Sequence, residues 1–335
     1  MQNRHKSHKN RNLRTLLIAF LLLFVFGGAA MGMSKYRSVK ESVNSSFQSS
    51  GVSAHDVGTK LSSKRPISIL IMGTDTGSAK LTRDYKGHTN SMMVVTINPK
   101  TNKTTVDSIS GETAVNIPGY KKASPAPLNE AYELGQAGTS VKTVQSMLNV
   151  PIDFYMLLNV GGLNKVINEV GGIDVTPTLS FSFGGYNFTK GVKTHMNGAK
   201  ALAYAGMNND KLDGDYGRQN RQRDVLTAIV KQSGSISTLL NQDFINSLTD
   251  QVLTDLTFDN LKTIGTDYRD ATKNVNEDHL QGTAKTVNGQ SLQVVSKTEL
   301  QRETNVLRKS LDLNSAKTGT IEYVPATTTT TNSTY

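Results

Sequence analysis

The chain has 335 residues, 36% of them apolar, which is enough to bury a substantial core and excludes a peptide-like or fibrous protein. The net charge of +10 is concentrated in residues 1–40, which hold eight Lys/Arg and no Asp/Glu, whereas residues 41–335 carry 29 Lys/Arg against 27 Asp/Glu. This distribution removes the main support for nucleic-acid binding, and the absence of cysteine excludes disulfides, a thiolate nucleophile and a cysteine zinc site.

The N-terminus carries a candidate membrane anchor. Five Lys/Arg lie within residues 1–14, and an uncharged, largely apolar run of 19 residues follows at 15–33. As a helix this run would be about 28 Å long, which is enough to cross a bilayer. A cleaved signal peptide has the same order, but the run exceeds a usual signal core and no clear A-x-A site follows it. The charge bias predicts a single-pass protein of the cell membrane, with a cytoplasmic N-terminus and an extracellular C-terminal domain.

The next segments change from polar to strand-like. Residues 34–65 are rich in Ser and Lys with sparse apolar positions, which indicates a stalk. The apolar run ISILIMG (67–73) predicts a strand buried on both faces. SMMVVTIN (91–98) and KTTVDSI (103–109) are separated by PKTNK, which predicts an antiparallel hairpin.

Helical and strand patterns alternate through the rest of the chain. PLNEAYELG (127–135) and TSVKTVQSMLNV (139–150) predict helices, DFYMLLNV predicts a strand, and GGLNKVINEVGG predicts a helix that ends at glycine. RQNRQRDVLTAIVKQ (218–232) predicts another long helix. The alternation favours one α/β domain over residues 66–313, with a mixed sheet and helices on both faces, followed by a disordered Thr-rich tail at 314–335.

Two stretches are candidates for chemistry. Asp75 follows an apolar strand and its glycine, and ligands gather at the carboxyl ends of strands in open α/β sheets, so Asp75 is a candidate metal ligand; a turn aspartate beside Gly77 is the alternative. In DGDYGRQNRQRD a glycine-containing loop opens a helix that carries Arg218, Arg221 and Gln222. Backbone N–H groups and guanidiniums at a helix start suit a pyrophosphate, and a solvated helix end is the alternative.

No other pattern indicates a catalytic or cofactor site. The histidines are scattered and lack metal-binding spacing, and neither a P-loop nor G-x-G-x-x-G is present. The paired glycines at 161–162, 171–172 and 184–185 are typical of turns and helix ends.

Several stretches together resemble the LytR-CpsA-Psr family of Gram-positive cell-envelope proteins. They follow in consistent order over about residues 66 to 235, after the single N-terminal anchor. The matching stretches are ISILIMGTDTG, SMMVVTINPKTNKTTVDSI, LNEAY, VPIDFYMLLN, VGGIDV, MNGAKALAY and GDYGRQNRQR.

The resemblance implies an α/β/α sandwich with an apolar cavity for a polyprenyl tail. It also implies transfer of an anionic glycopolymer, such as teichoic acid or capsule, from polyprenyl pyrophosphate to peptidoglycan, with Mg²⁺ held by aspartates and a cluster of arginines on the pyrophosphate. Asp75 matches the first metal-site aspartate of the family. Arg218, Arg221 and Gln222 match its G-R-x-x-R-Q helix start. These parts suit phosphoryl transfer, which needs positioning and charge neutralisation.

The sequence departs from the family at five site positions. His88 and Asn90 stand where the family has an arginine and a metal-site aspartate, and Gly111 stands for the arginine of its S-I-P-R-D-T motif. Gly206 and Asn208 replace its R-x-R arginines. These replacements predict reduced activity, because each lost charged hydrogen bond costs about 1.5 to 3 kcal/mol.

The remaining residues suggest partial substitutes and two alternative functions. His88 as a phosphate donor, Asn90 as a weak magnesium ligand and Arg83 or Lys86 as a source of positive charge are hypotheses. A non-catalytic family member that binds lipid-linked glycopolymer, or pairs with an active paralogue, is the alternative to a transferase. Older descriptions of the family as transcriptional attenuators would require nucleic-acid binding, which the anchor and the near-neutral remainder of the chain contradict.

Overall fold

A computed structural model describes residues 36–52, 57–77, 79–89, 91–207 and 242–319, together with five helical residues between them: Arg221, Asp224, Val225, Ala228 and Gln232. The strands, in chain order, are β1 (Ile67–Thr74), β2 (Ser91–Asn98), β3 (Lys103–Ile109), β4 (Ala114–Val115), β5 (Ala126–Pro127), β6 (Phe154–Asn159), β7 (Ile173–Val175), β8 (Phe181–Phe183), β9 (Tyr186–Phe188), β10 (Thr194–Met196), β11 (Val252–Thr254), β12 (Val275–His279), β13 (Gly282–Val287) and β14 (Gln290–Val295). The helices are α1 (Tyr36–Ser45), α2 (Val57–Ser62), α3 (Glu130–Leu148), α4 (Leu163–Glu169), α5 (Gly198–Gly206), α6 (Gln242–Thr249), α7 (Phe258–Asp267) and α8 (Lys297–Ser310), with a 3₁₀ turn at Arg269–Lys273.

Six strands form a central mixed sheet in the order β11-β6-β1-β2-β3-β12. The pairs β1/β6 and β3/β12 are parallel, and the other neighbours are antiparallel. The predicted hairpin is confirmed, with Met92 opposite Ile109 and Asn98 opposite Lys103. All eight residues of β1 are buried because this strand lies inside the sheet and apolar side chains cover both of its faces.

Alternate residues of the central strands enter two separate core clusters. Ile67, Ile69 and Ile71 of β1 pack in one cluster, which also contains apolar residues of α4, α5, α6 and α7. Leu70 and Met72 pack in the other, with apolar residues of α3 and α8. The two-residue alternation of the strand therefore distributes helices to both faces, and the α/β prediction with a mixed sheet is confirmed.

Helix α3 covers residues 130–148 of the two helical segments predicted at 127–135 and 139–150, which are joined across a kink; the helix begins later than predicted, because Pro127 pairs in β5. Gly135 has φ −158° and ψ 32°, and Gln136 has φ 52° and ψ −155°, so neither residue is helical. A Cβ at Gly135 would lie 2.9 Å from the Tyr120 hydroxyl oxygen, which itself donates a 2.6 Å hydrogen bond to the Leu134 carbonyl. The kink thus brings the loop before α3 against its first half.

The described part of the predicted stalk packs against the domain. Val39 and Val43 of α1 and Leu61 of α2 are buried in the core cluster that contains Ile67. Phe47 forms a parallel bridge with Thr254 at the outer edge of β11. The described part of residues 34–65 therefore contributes apolar side chains to the core and also links the domain to the N-terminus.

The predicted membrane anchor and the predicted C-terminal tail lie wholly or partly outside the described residues. Within the described segments no helix is long and apolar enough to cross a membrane, and the run 15–33 lies outside them. In the predicted tail, the Gly319 N–H donates a 3.0 Å hydrogen bond to the Met147 carbonyl, and the Thr318 N–H donates one of 2.9 Å to Gln301 Oε1. The tail is therefore held to α3 and α8 through residue 319, and residues 320–335 lie outside the described residues.

Asp255 is expected to make stability depend on pH. Its Oδ1 accepts a 2.8 Å hydrogen bond from the Tyr155 N–H, and burial raises the pKa of the Asp255 carboxyl to about 7. The folded state therefore binds an extra proton between about pH 4 and 7, so stability is highest below this window and falls as the pH rises through it.

The measurement is the free energy of unfolding by denaturant from pH 4 to 8. Asp255→Asn should be more stable than the wild type at pH 8 by about 2 kcal/mol, allowing for water at the partly exposed carboxyl, and equal to it near pH 4. The exposed Glu169→Gln provides a matched control with no change in pH dependence. Parallel curves for wild type and Asp255→Asn would contradict the prediction.

Candidate functional site

The site lies at the carboxyl end of β1, where the chain leaves the sheet at Asp75 and returns at the start of β2. We call residues 75–77 and 79–89 the site loop. The buried Thr74 hydroxyl contacts the Tyr85 hydroxyl and donates a 3.1 Å hydrogen bond to the His88 carbonyl. The loop therefore closes back onto the strand end from which it starts.

Asp75 is exposed at the beginning of the site loop. Its Oδ1 accepts a 2.9 Å hydrogen bond from the Gly77 N–H, the geometry of an aspartate that caps its own turn. Asp75 can therefore be both a turn aspartate and a metal ligand, because Oδ1 accepts the hydrogen bond of the turn and Oδ2 does not take part in it. The arrangement presents a fixed carboxylate to solvent at the strand end.

Asn159, at the end of the neighbouring strand β6, holds the turn of Asp75 in place. Its Nδ2 donates to the Gly77 carbonyl at 3.1 Å and to the Ala79 carbonyl at 2.9 Å, and its Oδ1 accepts from the Thr76 N–H at 2.9 Å. Nδ2 also lies 2.8 Å from Gln251 Oε1. Both amides are almost fully buried, so they form a rigid support beneath the exposed carboxylate.

Gly161 and Gly162 provide the space for this support. A Cβ at Gly161 would overlap Asp75 Oδ1 and lie 2.7 Å from the Gly77 carbonyl oxygen, and a Cβ at Gly162 would overlap the Gln251 side chain. The sequence pattern predicted only turns or helix ends at these glycines, and it did not place Asn159 or Gln251 in the site. The sequence carries one signal for Asn159, its position as a polar residue at the end of an apolar strand, and none for Gln251.

Gly161→Ala is expected to reduce about 30-fold the polymer transfer that the family resemblance implies, with little loss of fold, because the new methyl group must displace the turn that carries Asp75. The measurement is kcat/KM for release of polyprenyl phosphate, together with the thermal midpoint of unfolding. The exposed Glu169→Ala, eight residues further along, is the control and should retain activity. Wild-type activity in Gly161→Ala would mean that the position of the turn does not matter.

Arg83 and His88 also lie on the site loop and are exposed. Arg83 Nη2 donates a 3.1 Å hydrogen bond to the Ser45 carbonyl at the end of α1. His88 Nε2 lies 2.6 Å from Glu133 Oε2 on the first turn of α3. The structure therefore places four candidate residues, Asp75, Arg83, Lys86 and His88, on one loop. Asn90 lies outside the described residues.

Gly111 lies where two other segments meet the end of the site loop. Its carbonyl accepts a 2.8 Å hydrogen bond from the Asn129 N–H, and the Asn129 carbonyl accepts one of 3.4 Å from the Thr89 N–H. A Cβ at Gly111 would lie 3.1 Å from both Asn129 Cβ and the Thr89 carbonyl oxygen. The segments that contain Thr89, Gly111 and Asn129 therefore lie so close together that any side chain at position 111 would be crowded.

Arg221 occupies a different environment from the site loop. It is 2% exposed, its Nη2 donates a 2.6 Å hydrogen bond to the Met207 carbonyl, and its guanidinium lies 5.2 Å from the centre of the Phe181 ring. Nearby, the Tyr204 hydroxyl donates a 3.0 Å hydrogen bond to Asp224 Oδ2. Arg221 is therefore packed against α5 and β8. Arg218 and Gln222 lie outside the described residues.

Asp75 is the carboxylate at the end of β1 that could bind a magnesium ion. No group of three His, Asp or Glu side chains that could hold a metal occurs among the described residues. Magnesium is commonly bound by one or two carboxylates with substrate phosphates and water, so Asp75 fits a site completed by the substrate rather than a closed protein cage.

Comparisons with known proteins agree with this fold. A sequence profile of the LytR_cpsA_psr family matches residues 26–309. The polyisoprenyl-teichoic acid–peptidoglycan teichoic acid transferase TagU of Enterococcus faecalis is 36% identical over 305 residues, covering 91% of this chain and 99% of TagU. The protein of the same name from Bacillus subtilis is 34% identical over 315 residues, covering 93% of this chain and all of that protein.

A solved structure extends the match to three dimensions. Protein gbs0355 from Streptococcus agalactiae superposes with a TM-score of 0.64 at 33% identity, covering 79% of this chain and 94% of gbs0355. The profile match spans most of the chain, and the relatives exceed 30% identity over nearly their whole length. This chain belongs to the LytR-CpsA-Psr family.

Proposed function

We propose that this protein transfers an anionic glycopolymer, of the teichoic acid class, from a polyprenyl-pyrophosphate carrier to peptidoglycan. Two relatives at 34 to 36% identity bear the name of that activity. The observation that carries the proposal is the exposed Asp75 carboxylate, fixed at the carboxyl end of β1 by its own turn and by the buried Asn159. A pyrophosphate with its cation suits such a position.

In the proposed reaction a hydroxyl group of peptidoglycan attacks the phosphorus that bears the glycopolymer. The new bond joins that oxygen to phosphorus, the bond from phosphorus to the bridging pyrophosphate oxygen breaks, and polyprenyl phosphate leaves. The proton of the hydroxyl group is released to solvent. The protein's main tasks are to orient the two substrates and to neutralise charge on the phosphate oxygens.

We assign the charge-neutralising roles to residues of the site loop and of the helix after it. Asp75, together with Asn90, would hold Mg²⁺, which supplies positive charge to the pyrophosphate oxygens when bound. Arg83 and His88 would contact phosphate from the site loop, and Arg218, Arg221 and Gln222 from the helix start. Arg221 would have to leave the Met207 carbonyl to do so. Fewer guanidiniums than in the family pattern predict lower turnover.

The proposed location follows from the N-terminal sequence. The uncharged run 15–33 would anchor the protein in the cell membrane as a single-pass helix, with residues 1–14 in the cytoplasm and the α/β domain outside. We also propose that the domain is an α/β/α sandwich and that this transmembrane helix precedes it. Outside the membrane the domain would meet lipid-linked polymer, peptidoglycan and any paralogous partner.

The test is an assay of residues 34–335 with a polyprenyl-pyrophosphate-linked teichoic acid precursor, peptidoglycan fragments and Mg²⁺. Release of polyprenyl phosphate together with covalent attachment of the polymer, both lost with a chelator, is the expected result. Tight binding of the lipid-linked precursor without release would overturn the proposal and indicate the non-catalytic alternative. Peptidoglycan-free reactions control for simple hydrolysis.

A further inference from the structure

A short segment after α1 contacts the site loop from the edge of the sheet. We call residues 45–50 the strap. The Gln48 N–H donates a 2.8 Å hydrogen bond to the Thr254 carbonyl, and the Thr254 N–H donates one of 3.0 Å to the Ser46 carbonyl. The strap thus pairs with the outer edge of β11 as a short additional strand.

Two further contacts fix the strap over the kinked part of α3. The Tyr155 hydroxyl donates a 2.8 Å hydrogen bond to the Gln48 carbonyl. The Ser50 carbonyl lies so close to Gly138 that a Cβ there would overlap it. Backbone pairing on one side and this close approach on the other leave the strap little room to shift.

The strap holds both the backbone and the side chain of Arg83. Gln48 Nε2 donates a 3.1 Å hydrogen bond to the Arg83 carbonyl, and Gln136 Nε2 donates one of 3.0 Å to the same oxygen. Gln48 Nε2 also lies 3.4 Å from Gln136 Oε1, so the two amides form one unit. The Arg83 guanidinium meets the Ser45 carbonyl at 3.1 Å.

The backbone of Gln136 indicates that this arrangement is specific. Its φ of +52° lies in a region that residues other than glycine adopt rarely, and such a conformation persists only where surrounding contacts maintain it. The amide that this residue contributes is one of the two that hold the Arg83 carbonyl. The kink in α3 and the strap therefore converge on a single atom of the site loop.

From this convergence we infer that Gln48 and Gln136 are positioning residues of the transfer reaction, which set the place of Arg83 for the pyrophosphate. The inference rests on the proposed function. Because the strap continues α1, which comes directly before it in the chain, the position of Arg83 is coupled to the packing of the N-terminal helix on the domain. Neither glutamine touches substrate in this role.

The test replaces each glutamine by methionine, which has similar length and no amide, in the full chain. Gln48→Met and Gln136→Met should each lower kcat/KM about tenfold, and the double variant should lower it little more than either alone, since the amides act together. Gln290→Met, an exposed glutamine on β14, is the matched control and should retain full activity.

A double-mutant cycle with Arg83 separates positioning from a general loss of structure. In an Arg83→Ala background, Gln48→Met should have no further effect on kcat/KM, whereas a merely structural role would lower activity in both backgrounds. An undiminished rate in both single glutamine variants, or equal losses with and without Arg83, would overturn the inference while the proposed function stood. A wild type without transfer would overturn the proposed function first.

Discussion

Asp75→Asn is expected to reduce polymer transfer by about 10³-fold or more, the largest effect on activity that the site predicts. The amide keeps an oxygen that can accept the Gly77 N–H hydrogen bond, so the turn should survive. What the variant loses is the negative charge that would hold the cation at the pyrophosphate. The measurement is kcat/KM for polyprenyl phosphate release over a range of Mg²⁺ concentrations.

The matched control for Asp75 is another carboxylate of the same loop. Asp84 is exposed, and a hydrogen bond from the Thr82 side chain is the main cause of its lowered pKa. Asp84→Asn should retain activity within about twofold, because removal of one exposed charge changes the local potential little in water. If both variants lose activity equally, net charge of the loop rather than a specific ligand would explain the Asp75 result.

The main strands could be predicted because their signals are local. Strands β2 and β3 have the predicted bounds, since apolar β-branched runs flank a turn in which Asn102 adopts the φ of +51° that asparagine tolerates. Burial of β1 on both faces followed from its unbroken apolar run. Sheet order could not be predicted, because the pairing of β12 with β3 joins segments about 170 residues apart.

The sequence indicates exposed candidate residues on the site loop but not the residues that hold them in place. Asp75 stands out because a strand and a glycine precede it, but the residues that hold it in place are distant in sequence. Asn159 contacts the Gly77 carbonyl across 82 residues, and Gln251 contacts Asn159 across 92 residues. The position of Asn159 at a strand end does not show which residues it contacts. Gln48 was missed for the same reason, since it lies in a segment whose composition indicates a stalk.

The structure gives a physical reason for glycine at position 111. A Cβ at position 111 would lie 3.1 Å from both the Thr89 carbonyl oxygen and Asn129 Cβ. To accept a side chain there, one of these neighbours would have to shift by a few tenths of an ångström. An arginine at this position would therefore need a slightly more open site loop. Gly111→Arg is thus expected to disturb the closure of the site loop on Asn129.

Asp153→Ala is expected to cause the largest loss of stability among the variants considered, about 3 to 5 kcal/mol. Its side chain is 1% exposed, Oδ1 lies 2.5 Å from Lys60 Nζ, and Oδ2 accepts a 3.0 Å hydrogen bond from the Ser68 N–H. The Ser68 hydroxyl lies 3.2 Å from the same oxygen. Truncation would leave the partly buried Lys60 ammonium and the buried Ser68 N–H without their acceptor, whereas the Ser68 hydroxyl keeps a 2.7 Å hydrogen bond to the Pro151 carbonyl. Both losses cost free energy. Thermal unfolding should shift down by about 10 °C.

A second ion pair provides the control, because it joins the same N-terminal region to the domain at an exposed position. Lys40 on α1 lies 2.8 Å from Asp259 Oδ2 on α7, with side chains 38% and 62% exposed. Asp259→Ala should cost less than about 1 kcal/mol, since water and side-chain entropy offset an exposed pair. Equal losses for the two variants would show that attachment of the N-terminal helices, rather than the buried carboxylate, limits stability. A large loss confined to Asp153→Ala would instead place the limiting contact at the start of β6, where α2 meets the central sheet.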